Sequence, residues 1–422
     1  VADSQGHLRG KRVPVQRFFD TVIENGVNIA DAIFVFDMQN DLPDNEFINM
    51  DTGYLDCTLM PDIDSARVLT HRPGYALVFC NTLDEHGNPH PLAPRTVLAQ
   101  QIERCQSMNL NPIMATEMEF ILCTQDWEPV TDYIQYSSLT DMMDLEDVLR
   151  DMRAALAGAG IEVESSNAEY GPGQIEINCG HAGAMKIADD TALFKSIVKQ
   201  VAMQHGLRAT FMPKPWADGT GNGMHVHSSL EVDGANAFAS SAHAPNELME
   251  QWLAGLLEHA EAMTFIGAPT PNGPKRLRPY TFAPTHVCWG LDNRTVLARC
   301  IAEPGSKANR VEFRSAGADA NPYLILAANL AAGADGLERK FALMDMSEGD
   351  KYTNPGDHAP LPTTLADAVA TYRDSRLAEL LGDKFSRSYV SIAEAEIAHA
   401  AEHSPDADEV NDWERTRFIV HS

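Results

Sequence analysis

Polar and apolar residues alternate along four short stretches of the chain, and in each the polar set is ionisable or amide-bearing. In residues 115–123, Glu117 and Glu119 stand two apart among Met118, Phe120, Ile121 and Leu122. Residues two apart in a strand point to one face. Two carboxylates on one face of an apolar strand repel each other and lose hydration, which a cation between them relieves. Taken alone, the stretch also reads as an edge strand with one wet face. The pattern recurs three times. Glu169 precedes a Gly-Pro-Gly turn, after which Gln174, Glu176 and Asn178 alternate with Ile175 and Ile177. His225, His227 and Ser229 share one face of a third stretch. In the fourth, Arg310, Glu312 and Arg314 lie opposite Val311 and Phe313. These stretches predict one strongly curved sheet whose concave face is an active-site funnel.

The remaining periodicity predicts what surrounds that sheet. Residues 1–92 are rich in turns and short strands, with strand candidates at 7–14, 33–37, 56–62 and 76–80 and a short helix at 18–25. Prolines over 89–94 mark a boundary. Beyond it, helices are predicted over 96–109, 144–160, 189–206, 245–263, 321–343, 365–381 and 392–403, with strands at 161–164 and 209–212. Residues 124–140 read as a loop. So do residues 267–284, a proline-rich segment that carries Lys275, Arg276 and Arg278.

Charge narrows the function. Asp plus Glu number 60 and Lys plus Arg 32, a net charge of −28. That excludes nucleic acid and anionic membrane as partners, so arginines clustered in one segment serve anions locally. The same acidity also suits solubility or a salty source. Seven cysteines are scattered singly with no CxxC, as expected for reduced, buried thiols of a cytoplasmic protein. No apolar run reaches the length of a membrane span and no signal peptide is visible. The chain opens on Val1 rather than Met, which points to residues missing ahead of it.

Together, in this order and spacing, the motifs resemble those of the glutamine synthetase superfamily, from about residue 55 onward. Glu117-Met-Glu119-Phe resembles the family's paired-glutamate strand, and residues 221–227 resemble its glycine-rich histidine motif. Lys275-Arg276-Leu and the segment from Asn293-Arg294 to Arg299 resemble its arginine segments. Residues 307–314, with Ala320-Asn-Pro-Tyr323, resemble its last metal-binding strand. The form of residues 169–176 is similar to the branch that ligates glutamate to amines other than ammonia.

The resemblance implies an α+β enzyme. A small N-terminal β-grasp-like domain would span residues 1–92. A large catalytic domain over 93–422 would carry a curved antiparallel sheet flanked by helices. ATP and two or more Mg²⁺ or Mn²⁺ ions are the implied cofactors. Glu119, Glu169 and Glu176 would hold one ion, and Glu117, His225 and Glu312 the second; carboxylate-dominated donors suit such hard ions. Arg276 and Arg314 would grip the carboxylates of L-glutamate bidentately, with Gly221 letting the backbone approach the amino acid. Arg294 and Arg299 would neutralise the transferred phosphoryl group. His227, Ser229, Lys307 and Arg310 would line the nucleotide site. Read singly, His225 is as readily a core histidine, and each arginine a surface ion pair. The family also implies a homo-oligomer, a dodecamer of two stacked hexameric rings in which one subunit's N-terminal domain completes its neighbour's site.

The implied reaction has two steps: ATP phosphorylates the γ-carboxylate of glutamate, and an amine then displaces phosphate. Within residues 276–284 the chain departs from glutamine synthetases, because Phe282 falls where that family's ammonium-binding glutamate would be. A phenyl ring offers apolar contact to an organic amine instead of a carboxylate to NH₄⁺. A different loop register, supplying another carboxylate, is the alternative. Asp41, Asp44 and Asp51 stand equal as the group that helps deprotonate the amine. The expected function is ATP-dependent joining of glutamate to an alkyl-, aryl- or polyamine. An ammonia-using glutamine synthetase and a non-catalytic relative are the rivals. The full set of clustered carboxylates argues against the second.

Overall fold

The structure, a computed structural model, describes every residue of 1–422 except Pro405, Ala407 and Asp408. A ten-stranded sheet dominates it. Its main path uses seven strands: β4 (Asn111–Cys123), β5 (Val163–Ala168), β6 (Gln174–Cys179), β8 (Met224–Val232), β9 (Trp289–Leu291), β10 (Ala298–Ile301) and β11 (Arg310–Phe313). They lie in the order β9-β10-β11-β8-β4-β6-β5, and β7 (Arg208–Thr210) pairs with the far end of β4. All four alternating stretches are therefore in one sheet, antiparallel to their neighbours. In β4 the alternation is explicit: Met114, Met118 and Phe120 are buried, while Glu117 and Glu119 are half-buried on the other face.

Helices cover the apolar face. They are α1 (Pro94–Ser107), α2 (Glu146–Gly158), α3 (Ala184–Gln204), α4 (Glu247–Glu258), α5 (Ala260–Gly267) and α6 (Pro322–Arg339). Helix α3 packs on β4 and β7, and α6 packs against α1, α3 and α4. Asn321 starts α6 by accepting the Tyr323 N–H at 3.0 Å, with Pro322 in the first turn where its missing N–H costs nothing. Four further helices close the chain: α7 (Leu365–Arg373), α8 (Arg376–Leu381), α9 (Asp383–His403) and α10 (Asp412–Phe418).

Before α1, a three-stranded antiparallel sheet joins β1 (Val27–Ala30), β2 (Asp56–Pro61) and β3 (Cys80–Leu83). Two expected strands are absent here. Residues 33–37 are not a strand; Asp31–Phe34 is a 3-10 turn with all four residues buried. An unbroken apolar run does not distinguish a buried turn from a buried strand. Residues 7–14 are irregular apart from one bridge between Leu8 and Ala2. Asp3 organises this segment, accepting the N–H groups of Gln5 and His7 at 2.9 Å and Arg9 Nε at 2.7 Å.

Two predicted helices are each split in two. The 245–263 helix breaks at His259, whose ring is drawn to the buried Asp335 at 2.9 Å. The 365–381 helix breaks after Arg373, and Ser375 caps the next helix. Among the described residues no helix is long and apolar enough to cross a membrane.

Candidate active site

Strand pairing assembles the site. Register places Glu117 opposite His225, Glu119 opposite Glu176, and Glu312 opposite both His227 and Arg299. Directly paired residues have Cβ atoms about 5 Å apart, so polar side chains of four strands converge on one patch. His225 Nδ1 lies 3.2 Å from Glu117 and 3.5 Å from Glu312, and His227 Nε2 lies 2.9 Å from Glu117. That last approach is off the line of a hydrogen bond. The buried Nε2 atoms of both histidines therefore lack hydrogen-bond partners among the described residues. Ligand atoms of Glu117, His227 and Glu312 all fall within 4.8 Å of one another, a spacing that fits one metal ion. The sequence placed His225 in that set and His227 beside the nucleotide; the geometry brings both imidazoles to Glu117, and His225 Nδ1 also to Glu312.

The electrostatics divide the site in two. Burial opposes ionisation of Glu117, but His227 and His225 more than offset it and hold the carboxyl well below its ordinary range. Glu312 has no exposed side-chain surface. Arg299 Nη1 donates to it at 2.8 Å, Arg314 Nη1 pairs with its other oxygen, and the arginine and histidine charges keep it ionised against burial. Glu169 and Glu176 make no such ion pair among the described residues. Burial, then the charge of Glu119, pushes Glu169 up to about 7. Burial, then Glu117, Glu119 and Glu169, pushes Glu176 up to about 9. Such mutually repelling carboxylates form a cation-deficient pocket. Their ligand atoms are not drawn into one tight cluster as those of Glu117, His227 and Glu312 are.

A buried arginine forms a further wall of the site. Arg276 is buried, and its Nη1 donates to the carbonyls of Arg314 and Ser315 at 3.4 and 3.3 Å. A Cβ on Gly223 would overlap its Nη2, and one on Gly221 would lie 3.0 Å from its Cγ, so neither position has room for a side chain. Gln174, for which the sequence suggested no role, ties the wall together. Its Nε2 lies 3.3 Å from Glu119, 3.0 Å from the Gly221 carbonyl and 3.1 Å from Asn222.

Phe282 is about half exposed, with a left-handed backbone (φ 59°). A bulky residue pays roughly 1–2 kcal/mol for that conformation. Its carbonyl accepts from Arg314 Nη2 at 3.1 Å, which ties its backbone to the Glu312 network. The Tyr170 ring meets it edge-on at 5.3 Å, and Tyr136 meets Tyr170 at 5.9 Å. Neither tyrosine was singled out from sequence, although Tyr170 directly follows Glu169.

Several expected residues stand apart. Arg294 and Lys307 are exposed, and their side chains make no ion pair among the described residues. Ser229 is half-buried two residues beyond His227 on β8. Arg310 Nε, by contrast, donates to His227 Nδ1 at 3.1 Å. Asp41, Asp44 and Asp51 are all exposed on the N-terminal segment.

A family model described as "Glutamine synthetase, catalytic domain" matches residues 91–418. This chain belongs to the glutamine synthetase family. Enzymes of the family use ATP and divalent metal ions. The chain is 34% identical over 436 residues to a glutamate–isopropylamine ligase of Pseudomonas sp., covering 99% of this chain and 94% of the relative. It is 34% identical over 429 residues to a gamma-glutamylethanolamide synthetase of Streptomyces coelicolor, covering 98% and 90%. A glutamine synthetase of Thermus thermophilus is 35% identical over 390 residues, covering 86% and 85%. Among solved structures, apo GmaS without ligand superposes with a TM-score of 0.85 at 30% identity, covering 98% of this chain and 94% of that one. Family membership accounts for the converging carboxylates and arginines on one sheet face. Amine-ligating relatives match nearly the whole chain, whereas the Thermus glutamine synthetase covers less of it.

Proposed function

We propose that this glutamine synthetase-family chain joins the γ-carboxylate of L-glutamate to a small organic amine, at the expense of ATP, through a γ-glutamyl phosphate. The observation that carries the choice of amine over ammonia is Phe282 packed on Tyr170. The ring pair presents apolar surface, and the Phe282 backbone carbonyl anchors it to Arg314 of the Glu312 network. Phosphate release, measured with glutamate and a panel of ammonia, alkylamines, anilines, ethanolamine and polyamines, tests the reading. Ammonia giving the highest kcat/KM would return the chain to the glutamine synthetases.

The residues present fit divalent ions. Two orphaned buried imidazole nitrogens and a set of unneutralised carboxylates are what a metal would complete. Glu119, Glu169 and Glu176 would hold one Mg²⁺ or Mn²⁺. Glu117 and Glu312 would hold the second with a histidine, His225, whose Nδ1 lies 3.2 and 3.5 Å from the two carboxylates, or His227, within 4.8 Å of both. Such ions would offset charge on phosphoryl oxygens. The chain's own groups do the rest. Arg276 receives the glutamate carboxylate, with Arg314 beside it. Arg299, oriented by Asp292 and Glu312, faces the phosphoryl group, with Arg294 joining it from the exposed loop. His227, Ser229, Lys307 and Arg310 line the nucleotide site. Phe282, Tyr170 and Tyr136 keep water from the attacking amine.

The reading extends to organisation. Residues 1–92 form a β-grasp-like unit ahead of the catalytic domain of 93–422, in line with a family model that begins at residue 91. A homo-oligomer, a dodecamer of two hexameric rings, is supported by the exposed apolar side chains Val15, Phe19, Met50, Leu55 and Val68 within that first unit. The cytoplasm, where thiols stay reduced, suits seven cysteines with no disulfide.

Two results are expected here. Glu169 and Glu176 hold protons more tightly folded than unfolded, where both would titrate near 4.5. The contribution of these two groups to metal-free stability is therefore greatest below about pH 4.5 and is lost as pH rises through 7 and toward 9. Mg²⁺ should offset this loss, raising Tm by about 5 °C or more at pH 8.5 and by less at pH 5.5, where Glu169 and Glu176 keep their protons, relative to EDTA. Equal shifts at both pH values would sink the carboxylate assignment.

For Phe282→Glu, preference should move toward ammonia. Burying about three methylenes of amine against the ring is worth roughly 2 kcal/mol, or about thirtyfold in kcat/KM. An alkylamine-to-ammonia ratio unchanged by the substitution would remove Phe282 from the amine pocket.

A further inference from the structure

A carboxylate remote in sequence holds the turn that presents Arg276. Glu414, on α10, is fully buried. It accepts from Ser404 Oγ at 2.7 Å and Asn272 Nδ2 at 2.9 Å, and it pairs with Lys275 Nζ. The Lys275 side chain is 4% exposed, and its ammonium also donates to the Glu409 carbonyl. Asn272 is equally buried and reads the backbone of Lys214 in both directions, accepting its N–H and donating to its carbonyl, each at 2.8 Å.

Spacing explains why one carboxylate reaches both residues. Asn272 precedes the 3-10 turn Gly273–Arg276, and Lys275 is three residues further on. A 3-10 turn has three residues per turn, so these two side chains eclipse on one face. Arg276, the next residue, is rotated away and faces Gly223 and the carbonyls of Arg314 and Ser315. One side of the turn is thus anchored on Glu414 while another aims the guanidinium. The link through Lys214 extends the grip, because Pro213 accepts the Asn222 N–H at 2.8 Å in the Gly221–Gly223 loop. Both the Arg276 turn and the Gly221–Gly223 loop converge on Glu414. A buried ion pair is a poor stabiliser, since desolvation consumes most of its Coulombic gain; what this one supplies is direction.

The geometry points to Glu414 as a positioning residue for glutamate recognition, acting through Asn272 and Lys275 on Arg276 and the glycine loop. The inference rests on the assignment of Arg276 to glutamate. The double variant Lys275→Met/Glu414→Gln removes both charges at nearly constant volume and leaves neither unpaired. Its glutamate KM should rise about tenfold with ATP KM and kcat within about twofold, as expected when a binding group is displaced by a fraction of an ångström. Ser404→Ala, which removes one of three bonds to Glu414 and keeps both charges, should raise glutamate KM about threefold and serves if the double variant does not fold. A folded variant of either kind with unchanged glutamate KM overturns the inference. Glutamate Kd, measured by calorimetry with a non-hydrolysable ATP analogue, separates the two readings. Wild-type protein that binds glutamate but consumes no amine would overturn the ligase reading and leave the Kd comparison to decide the role of Glu414. Wild-type protein that binds no glutamate would overturn both.

Discussion

Replacing Glu312 with glutamine is expected to lower turnover by about a thousandfold or more while leaving the protein folded. Glu312 is the point where β8, β10 and β11 meet chemically: it faces His227 and Arg299 across the sheet and binds Arg314, just past the end of its own strand. Losing its charge would weaken a divalent-ion site and release two arginines from their orientation. Charge stabilisation of that kind supplies several kcal/mol of a transition state, and about 1.4 kcal/mol is tenfold in rate. Glutamine keeps the volume and an acceptor oxygen. Alanine does not, and by stripping a carboxylate from buried arginines should also cost on the order of 3–5 kcal/mol of stability. The informative comparison is therefore initial rate and Tm for both variants. Near-normal turnover in Glu312→Gln would refute the assignment, whereas inactivity in Glu312→Ala alone could reflect unfolding. Glu119→Ala should be inactive for the first reason only.

Arg276→Ala is expected to raise the glutamate KM by roughly 30- to 1000-fold with nucleotide affinity unchanged. A bidentate guanidinium–carboxylate contact in a buried pocket is worth on the order of 2–4 kcal/mol. Burial lowers the pKa of Arg276 below the usual arginine value. A carboxylate ligand offsets that desolvation, so ligand and arginine stabilise one another. Arg276→Lys should recover little, because an ammonium lacks the planar fork. Isotherms for glutamate and for ATP, taken separately, check the result. Loss of ATP binding with glutamate affinity intact would mean that residues 273–284 face the other ligand.

The sheet was legible because the same period of two recurs in four separate stretches, and because ionisable groups occupied one phase of each. Glu117, Glu119, Glu176, His225 and Glu312 could be placed on one surface from that alone. How His225 and His227 share Glu117 and Glu312 could not, since parity puts both histidines on the same face. The sharing depends on how β8 registers against β11, a pairing of residues more than eighty apart. Helix interruptions at His259 and Arg373 were hidden for a related reason: apolar periodicity runs through both breaks, and the first is tied to a partner, Asp335, on another helix. The Phe282–Tyr170 contact joins loops more than a hundred residues apart. Glu414 lies 139 residues from Lys275 and carries no local mark of its task.

The strand β4 has thirteen residues and serves the core with one phase and the site with the other. Insertion or deletion of a single residue within it would exchange the two phases, turning Met114, Met118 and Phe120 toward solvent and the glutamates into the core. Its length is therefore frozen, and divergence among amine-ligating relatives has to enter elsewhere. The open route is the segment between β4 and α2, which carries Tyr136 and exposes Tyr133, Ile134 and Leu139. That segment is tied to the Glu169 turn at only a few points, Ser137 N–H donating to the Ala168 carbonyl at 3.0 Å and Gly173 N–H to Thr131 Oγ1 at 2.8 Å, so changes that keep those bonds leave the carboxylates in place. On the proposed reading of the amine pocket, a chain built this way would acquire a new amine by rewriting one loop while its phosphoryl chemistry is inherited unchanged.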